Sequence, residues 1–285
     1  MRAKLHSARF GVYLGRLRKN RLCVAGVFVL GVLVCAGLLA RYLTPYDPIK
    51  VDPRSMLGQP TYSHPFGTDH FGRDVYTRVI YGTRISLRIG TVVAFFAGVF
   101  GAFLGLVSGY SPRLDGPIMR VMDVLMAFPA ILLAIGVMAI LGTGEVNAII
   151  ALVIVYTPIC ARIVRSSALT VKMREYVEAA RALGAYEWRI VFKHIFPNSL
   201  SPLIVQLVFV FAYAIVAEAA LSFIGVGTPP PTPSLGNILS EGRNYMAVAP
   251  WTTIAPGLAI SITVLALNLA GDGLRDLLDP KMRVG

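Results

Sequence analysis

The feature that most constrains the fold of this 285-residue chain is a set of six runs without Asp, Glu, Lys or Arg. A helix that crosses the hydrocarbon core of a membrane needs about 20 mainly apolar residues. Five runs reach about that length. The fourth has 16 residues and must extend past Arg162 toward Arg165, whose long side chains can extend to the interface. The runs are residues 22–40, 89–112, 124–144, 146–161, 195–217 and 244–271.

The charged residues are concentrated between these runs. Only 15% of all residues are charged, whereas soluble domains carry about 25%. A large soluble protein with buried helices is the alternative, but six such runs exceed what one soluble core needs. We therefore predict an all-α polytopic membrane protein with six transmembrane helices.

The basic residues also predict an orientation. Six spans place both termini on the same side, and 19 of the 27 Lys and Arg residues fall on that side. Cytoplasmic segments carry the excess of Lys and Arg, so both termini are expected in the cytoplasm. The loop 41–88 holds seven basic residues and argues against this, but long loops count less.

The net charge of +12 indicates attraction to anionic membrane lipid. The sequence has no basic cluster interleaved with aromatic residues, so it gives no indication of nucleic-acid binding.

The first run is interpreted as a retained helix. A cleaved signal peptide is the alternative, but its apolar core is usually about 7–15 residues, and here both the basic region and the apolar run are longer. Cys23, Cys35 and Cys160 form neither a disulfide framework nor a CxxC metal pattern.

The predicted organisation follows from these boundaries. It begins with a cytoplasmic N-terminal segment, a first transmembrane helix and an extracytoplasmic loop. The loop ends at about 74–87, which is either an amphipathic helix lying in the interface or a simple connector. A core of five helices and a cytoplasmic tail follow. The boundaries are 1–21, 22–43, 44–85, 86–271 and 272–285, with the largest inside loop at 162–197.

Small residues and prolines indicate how the spans pack. Ala97, Gly101, Gly105 and Gly109 recur every four residues, which permits close approach of another helix. Pro129 in the third span and Pro158 in the fourth predict kinks, which occur in moving helices and in static bundles alike.

The inside loop has the strongest local pattern. Residues 173–183 are good helix formers, and Gly184 can take the left-handed conformation that ends a helix. Residues 186–193 can form a second short helix, and Pro197 suits the start of the fifth span. Solvated linkers seldom place Ala, Leu, Trp and Phe in this way, so we predict two short helices that meet at a sharp turn.

This loop resembles the EAA loop of ABC-importer permeases, in which E-A-A-x-x-x-G is followed by a proline. Glu178, Ala179, Ala180, Gly184 and Pro197 match that pattern. His194 stands where many members have an aliphatic residue, but the peptide-type branch resembles this sequence at that position. Three further stretches are similar to the "C" permeases of dipeptide and oligopeptide importers, in the peptide/nickel branch. They are H-P-F-G-T-D-x-x-G-R-D at 64–74, E-A-A-L-S-F-I-G at 218–225 with P-x-x-P-S-L-G ending at Gly236, and G-D-x-L-R-D-x-L-D-P at 271–280.

The resemblance implies a type I ABC importer permease fold in a prokaryotic inner membrane. Such a chain performs no chemistry and binds no metal or cofactor of its own. It would pair with a second homologous permease, two ATPase subunits that bind ATP and Mg, and an extracytoplasmic solute-binding protein. The chain lacks G-x-x-x-x-G-K-[ST], in agreement with nucleotide binding elsewhere. The resemblance assigns ATPase coupling to Glu178, Ala179, Ala180, Gly184, His194 and Pro197.

Two other sets of residues are candidate sites. Glu218 is a carboxylate inside an apolar run and is either a pathway residue that meets a peptide amine or a hydrogen-bonding link between helices. Asp69, Arg73 and Asp74 either contact the binding protein or partner permease, or form an ion-pair network within their loop.

Rival functions have weaker support. A secondary transporter often has paired inverted repeats, and none is evident here. A membrane-bound enzyme would need convergent catalytic groups, but the four histidines are scattered, and His64 and His70 lack a third metal ligand at a diagnostic spacing. Dipeptides, oligopeptides, glutathione-like peptides and nickel chelates remain alternative substrates.

Overall fold

A computed structural model describes residues 21–278, which are helical with connecting loops. The predicted segment 1–21, except for Arg21, and the last seven residues of the predicted tail lie outside the described residues. The α-helices are α1 (Arg21–Leu38), α2 (Ala40–Leu43), α3 (Val75–Tyr110), α4 (Pro112–Ala127), α5 (Ala130–Leu141), α6 (Glu145–Lys172), α7 (Glu175–Ala182), α8 (Glu187–Ile190), α9 (Phe196–Phe223), α10 (Leu235–Gly242) and α11 (Trp251–Leu278).

Five helices are long and apolar enough to cross a membrane, and a sixth candidate is a bent pair. The five are α1, α3, α6, α11 and the helix that runs from Glu187 through α9 to Phe223. The pair α4 and α5 meets the same criterion but bends by 98° between the two helices. The structure therefore contains five to six candidate spans, against the six that the sequence predicts.

The bend between α4 and α5 occurs at Phe128-Pro129. Proline lacks an N–H, and it disfavours helical geometry in the preceding residue. Phe128 accordingly has extended backbone angles, φ −88° and ψ 141°. The predicted kink at Pro129 is confirmed as a complete break in the helix, whereas Pro158 lies within the continuous helix α6.

Helix α6 extends further than the charge pattern predicts. Its predicted extension toward Arg165 is confirmed, and the helix continues to Lys172. Arg165 does not need to reach the interface alone, because its guanidinium binds the Asp115 carboxylate of α4 at 2.5 and 2.6 Å. The first 11 residues of the predicted inside loop 162–197 are consequently helical.

The predicted helix at 74–87 is confirmed, but it is not a separate element. After Asp74, these residues form the first turns of α3, a single helix of 36 residues that continues into the second span. Asp74 begins it by accepting a hydrogen bond from the Thr77 backbone N–H at 2.7 Å. Val75 and Arg78 are buried, at 0% and 1% exposure, because the basic side chain finds carboxylates within the protein rather than lipid headgroups.

Close packing surrounds α3. A Cβ atom added at Gly101 would lie 2.3 Å from the Cβ of Cys160, and one added at Gly109 would lie 2.8 Å from that of Ala168. The residue numbers of these contacts increase together along both helices, so α3 and α6 run parallel. The predicted packing stripe is therefore confirmed. Gly98 contacts Leu207 in the same way, which places α9 on another side of α3.

Candidate functional site

The loop between α6 and α9 contains the predicted pair of short helices. Helix α7 ends at Ala182, and Gly184 follows with φ +78°, in the left-handed region that glycine adopts easily. The Ala185 N–H donates to the Ala180 carbonyl at 3.1 Å and closes this turn. Helix α8 begins three residues after Gly184, so the sharp turn between two helices is confirmed.

The second short helix is not a separate element. A π-helical segment, Val191–Ile195, joins α8 to α9 without a break, and Pro197 lies in the first turn of α9. π-Helical turns are rare and often occur at functional sites. His194 lies within this segment, with its ring centroid 5.9 Å from that of Tyr176 in α7.

A small apolar cluster supports this loop. Val177 of α7 is completely buried and packs with Ile190 and Ile195, which lie on the continuous helix leading to α9. Ala168 and Val171 of α6 belong to the same cluster. Helix α7 is therefore attached to two long helices at once.

The outer side of the loop is open to solvent. Glu178, Ala179 and Gly184 are exposed, and Ala180 is half-buried. Two large apolar side chains flank the turn at Gly184 without a covering element among residues 21–278: Leu183 (88% exposed) and Tyr186 (73%). We call these two residues the exposed apolar surface. Trp188 and Phe192, each 65% exposed, instead line a groove beside Phe103 of α3. Exposed apolar patches of this kind mark interaction sites. The Leu, Trp and Phe of this loop are unusual for a linker, but the sequence alone gives them no binding role.

Glu218 lies elsewhere, enclosed within the bundle with no exposed area. Its carboxylate accepts hydrogen bonds from the hydroxyls of Ser222 at 2.7 Å, Ser86 of α3 at 3.2 Å and Thr228 at 3.4 Å. These bonds join α3, α9 and the segment that follows α9. The contacts favour the structural alternative, a hydrogen-bonding link between helices, over a pathway residue in this conformation.

Asp69 and Arg73 lie in a buried charge cluster at the opposite end of α3 from the loop. Asp69 Oδ2 lies 2.6 Å from Arg73 Nε and 2.5 Å from Arg78 Nη1. Both guanidiniums also bind Glu241 of α10, at 2.5 and 2.7 Å. We call Asp69, Arg73, Arg78 and Glu241 the charge cluster. Burial alone would raise the pKa of Asp69, but Arg78 and Arg73 hold it below its ordinary value.

The third predicted contact residue, Asp74, has a different role. It caps α3 and lies 2.9 Å from His64 Nδ1. Asp69, Arg73 and Asp74 are each at most 4% exposed, so the contacts favour an ion-pair network within the protein over a direct contact with a partner. Sequence reasoning missed Arg78 and Glu241, because no local pattern links residues 163 positions apart.

Three possible metal ligands occur in this region. One ligand atom each of Asp69, His70 and Glu241 lies within 4.8 Å of the others. Both carboxylates already bind Arg73 and Arg78, so the charge cluster is neutral without an added cation, and a metal would have to displace the guanidiniums. Burial lowers the pKa of His70, which stacks on Tyr245 at a centroid distance of 5.0 Å. These contacts fit a structural cluster better than a metal centre.

Five to six candidate spans joined by loops define a multi-pass membrane protein. The sequence matches the binding-protein-dependent transport system inner membrane component over residues 97–284 and the N-terminal TM domain of oligopeptide transport permease C over residues 11–61. The chain belongs to the family of binding-protein-dependent transport system inner membrane components, the permease subunits of bacterial ABC importers. It is accordingly a multi-pass inner-membrane protein and, by family, not itself an ATPase.

Curated relatives match almost the entire chain. A putative peptide transport system permease protein of Brucella suis biovar 1 is 51% identical over 94% of this chain and 91% of its own length. The dipeptide transport system permease protein DppC of Alkalihalophilus pseudofirmus is 44% identical, with 94% and 88% covered. The glutathione transport system permease protein GsiD of Pectobacterium atrosepticum is also 44% identical, with 94% and 89% covered.

A solved structure supports the fold. A chain from an inward-facing conformation of the MetNI methionine ABC transporter aligns with a TM-score of 0.59. The alignment covers 70% of this chain and 96% of that chain, at 22% sequence identity. The likeness concerns the arrangement of helices only.

Proposed function

We propose that this chain is the translocation subunit of an importer for dipeptides or oligopeptides. The peptide assignment is supported by relatives at 41–51% identity that are named as peptide or dipeptide permeases and are covered over most of their length. The motifs at 64–74 and 218–236 agree with it. The chain would work with a second homologous permease and an extracytoplasmic binding protein that selects the substrate.

The observation that supports a docked ATPase is the exposed apolar surface beside Glu178. Leu183 and Tyr186 are 88% and 73% exposed, and they flank the turn at Gly184. We propose that an ATPase subunit covers this surface and that a second ATPase subunit binds the partner permease. ATP and Mg would be held by those subunits, and the loop would lie in the cytoplasm together with both termini.

The proposed coupling follows from the attachments of α7. Val177 packs against Ile190 and Ile195, and those residues lie on the helix that continues without a break into α9. A displacement of α7 by ATPase closure would therefore move α9 as a rigid element. His194 and Pro197 lie where the π-helical segment meets α9, the point at which such motion enters the span.

The buried carboxylates, Glu218 and those of the charge cluster, would then hold neighbouring segments in place. Glu218 links α3, α9 and the segment after α9, and the charge cluster links the 64–74 loop to α10. We propose that both hold the outer half together while α9 moves. Asp69, Arg73 and Asp74 would shape the surface that meets the binding protein without touching it.

Co-purification of the chain with its ATPase subunits tests the proposal. Glu178→Lys reverses an exposed charge beside the exposed apolar surface and is expected to abolish recovery of the ATPase while the permease remains folded. Asp47→Lys is the matched control, because it makes the same charge change at an exposed position near the other end of α3. Equal recovery with both variants, or proton-coupled uptake by the chain alone in liposomes, would overturn the proposal.

A glutathione-type peptide is the second candidate substrate. It is favoured by the glutathione permease relative, which is as similar as the dipeptide permease of Alkalihalophilus pseudofirmus, both at 44% identity. ATP-dependent uptake of labelled Ala-Ala and of glutathione by the reconstituted complex distinguishes the two.

A further inference from the structure

One side of α9 has exposed residues in both halves of the helix and half-buried residues between them. Pro202, Tyr213 and Val216 are exposed, and Gln206 is half-buried. The spacing of these positions places them on one side of a helix of 3.6 residues per turn. We call these four residues the α9 stripe. It differs from the side of α9 that packs on α3 through Leu203 and Leu207, so it is available to another occupant.

Tyr213 is the unusual member of the α9 stripe. It is 53% exposed, and its ring stacks on that of Tyr156 of α6, with centroids 6.5 Å apart and planes 20° apart. The Tyr156 hydroxyl donates to the Tyr213 backbone carbonyl at 3.3 Å. Among the residues that the structure describes, the Tyr213 hydroxyl itself has no hydrogen-bond partner.

Both tyrosines lie deep within their spans. Tyr156 lies about 16 Å along α6 from its first residue, and Tyr213 lies about 15 Å from the last residue of α9, at 1.5 Å per residue. The hydrocarbon core is about 30 Å thick, so both positions are near its centre. Tyrosines that face lipid are enriched at the interfaces instead, where the hydroxyl meets water. An unpartnered phenol at mid-depth is therefore unfavourable against lipid and favourable beside water.

We infer that the α9 stripe lines the water-filled path through which substrate crosses, and that the Tyr213 hydroxyl donates a hydrogen bond to a peptide carbonyl there. The inference rests on the proposed function. Tyr213 thereby takes the place of Glu218, which has no exposed area, as the candidate pathway residue. The occupant to which it commits is the passing peptide, and a surface covered by the second permease is the competing outcome.

The chemistry of the stripe predicts the kind of selectivity. None of its four residues is charged, and Arg162, an exposed cation on the neighbouring helix α6, is paired with Asp123 at 2.6 Å. A hydroxyl donor recognises the peptide bond, which all peptides share, and is indifferent to their side chains. The path is therefore expected to pass neutral, acidic and basic peptides equally, which leaves selection to the binding protein.

Transport by the complete complex in proteoliposomes tests this role. Tyr213→Phe removes only the hydroxyl and leaves the backbone carbonyl that Tyr156 binds. It is expected to lower ATP-dependent uptake about 2- to 10-fold, as for one lost hydrogen bond, and by the same factor for Ala-Ala, Lys-Ala and Glu-Ala. Tyr42→Phe, at a position that is 85% exposed next to α1, is the control and leaves uptake unchanged. Unchanged uptake by Tyr213→Phe overturns the inference.

Cysteine accessibility separates a water-filled path from a buried interface. In a complex whose permease lacks Cys23, Cys35 and Cys160, Tyr213→Cys is expected to react with a charged methanethiosulfonate reagent, at a rate that changes when ATP and vanadate are added. Phe28→Cys, 70% exposed on the peripheral helix α1, is expected to react only with a lipid-soluble maleimide.

No reaction of Tyr213→Cys with the charged reagent in either state would show that the second permease or lipid covers the stripe, and would overturn the inference. Failure of the proposed function has a different signature, because the wild-type complex would then not import any of the three peptides, whatever the reactivity at position 213.

Discussion

Neutralising Asp69 is the sharpest test of how the structure holds its 64–74 loop. Asp69 accepts two guanidinium contacts, at 2.5 and 2.6 Å, and two backbone N–H groups, from Phe71 at 2.8 Å and Arg73 at 2.9 Å. Removing one partner of a buried ion pair costs about 3–5 kcal/mol, because the other charge is left buried. Asp69→Asn leaves two buried arginines to share Glu241.

Hydrogen–deuterium exchange at the Phe71 and Arg73 amides measures this change locally. A loss of about 3–5 kcal/mol in the free energy of opening corresponds to exchange that is faster by about 10²-fold to several thousand-fold. Glu187→Gln is the control. It breaks the exposed Arg181–Glu187 pair, 3.4 Å apart, and is expected to change the stability of its own loop by no more than about 1 kcal/mol.

A second substitution shows whether charge imbalance causes the loss. Asp69→Asn combined with Arg78→Met restores one cation and one anion, Arg73 and Glu241, so the double variant is expected to exchange more slowly than Asp69→Asn alone. If the double variant instead loses the sum of both single effects, lost packing rather than unpaired charge explains the result, and the reasoning is refuted.

Three further predictions concern other parts of the protein. Arg78 and Arg73 outweigh burial and hold the pKa of Asp69 below its ordinary value, so the ion pairs of Asp69 are expected to persist at neutral pH and to be lost only in acid, as the pH falls through that lowered pKa. Fluorescence of Trp251, whose Nε1 donates to the Thr68 carbonyl, reports this loss in a Trp188→Phe background, and a transition near neutral pH would contradict the prediction. Gly101→Val places its side chain against Cys160 and costs about 1–3 kcal/mol in thermal unfolding, whereas Gly136→Ala, with no atom within 4 Å, is not destabilising. Gly184→Ala is expected to lower the stability of the loop by about 1–2 kcal/mol, because φ at this position is +78°, and to speed proteolysis near α7. Gly184→Asn should speed proteolysis less, and equal proteolysis rates for the two variants would argue against left-handed strain as the cause.

Local patterns predicted the features that depend on local physics. The charge-free runs identify most of the spans because a span must be apolar along its entire length. Gly184 ends α7 as predicted, since its backbone conformation depends on its own lack of a Cβ atom. The extent of α6 was underestimated, because Arg165 is stabilised by Asp115, which is 50 positions distant and whose pairing no periodicity reveals.

The charged residues near the spans show where sequence reasoning stops. A carboxylate in an apolar run, such as Glu218, and a conspicuous Asp and Arg motif, such as 69–73, both predict function when the partners are unknown. The structure supplies hydroxyls for Glu218 and a second arginine and Glu241 for Asp69, all from distant positions. A polar group whose bonds are complete has less capacity to bind a passing substrate than one whose bonds are not. By that criterion Glu218, whose carboxylate accepts from three hydroxyls, is a weaker candidate for substrate binding than Tyr213, whose hydroxyl has no hydrogen-bond partner among residues 21–278. Sequence alone does not distinguish Tyr213 from the eleven other tyrosines.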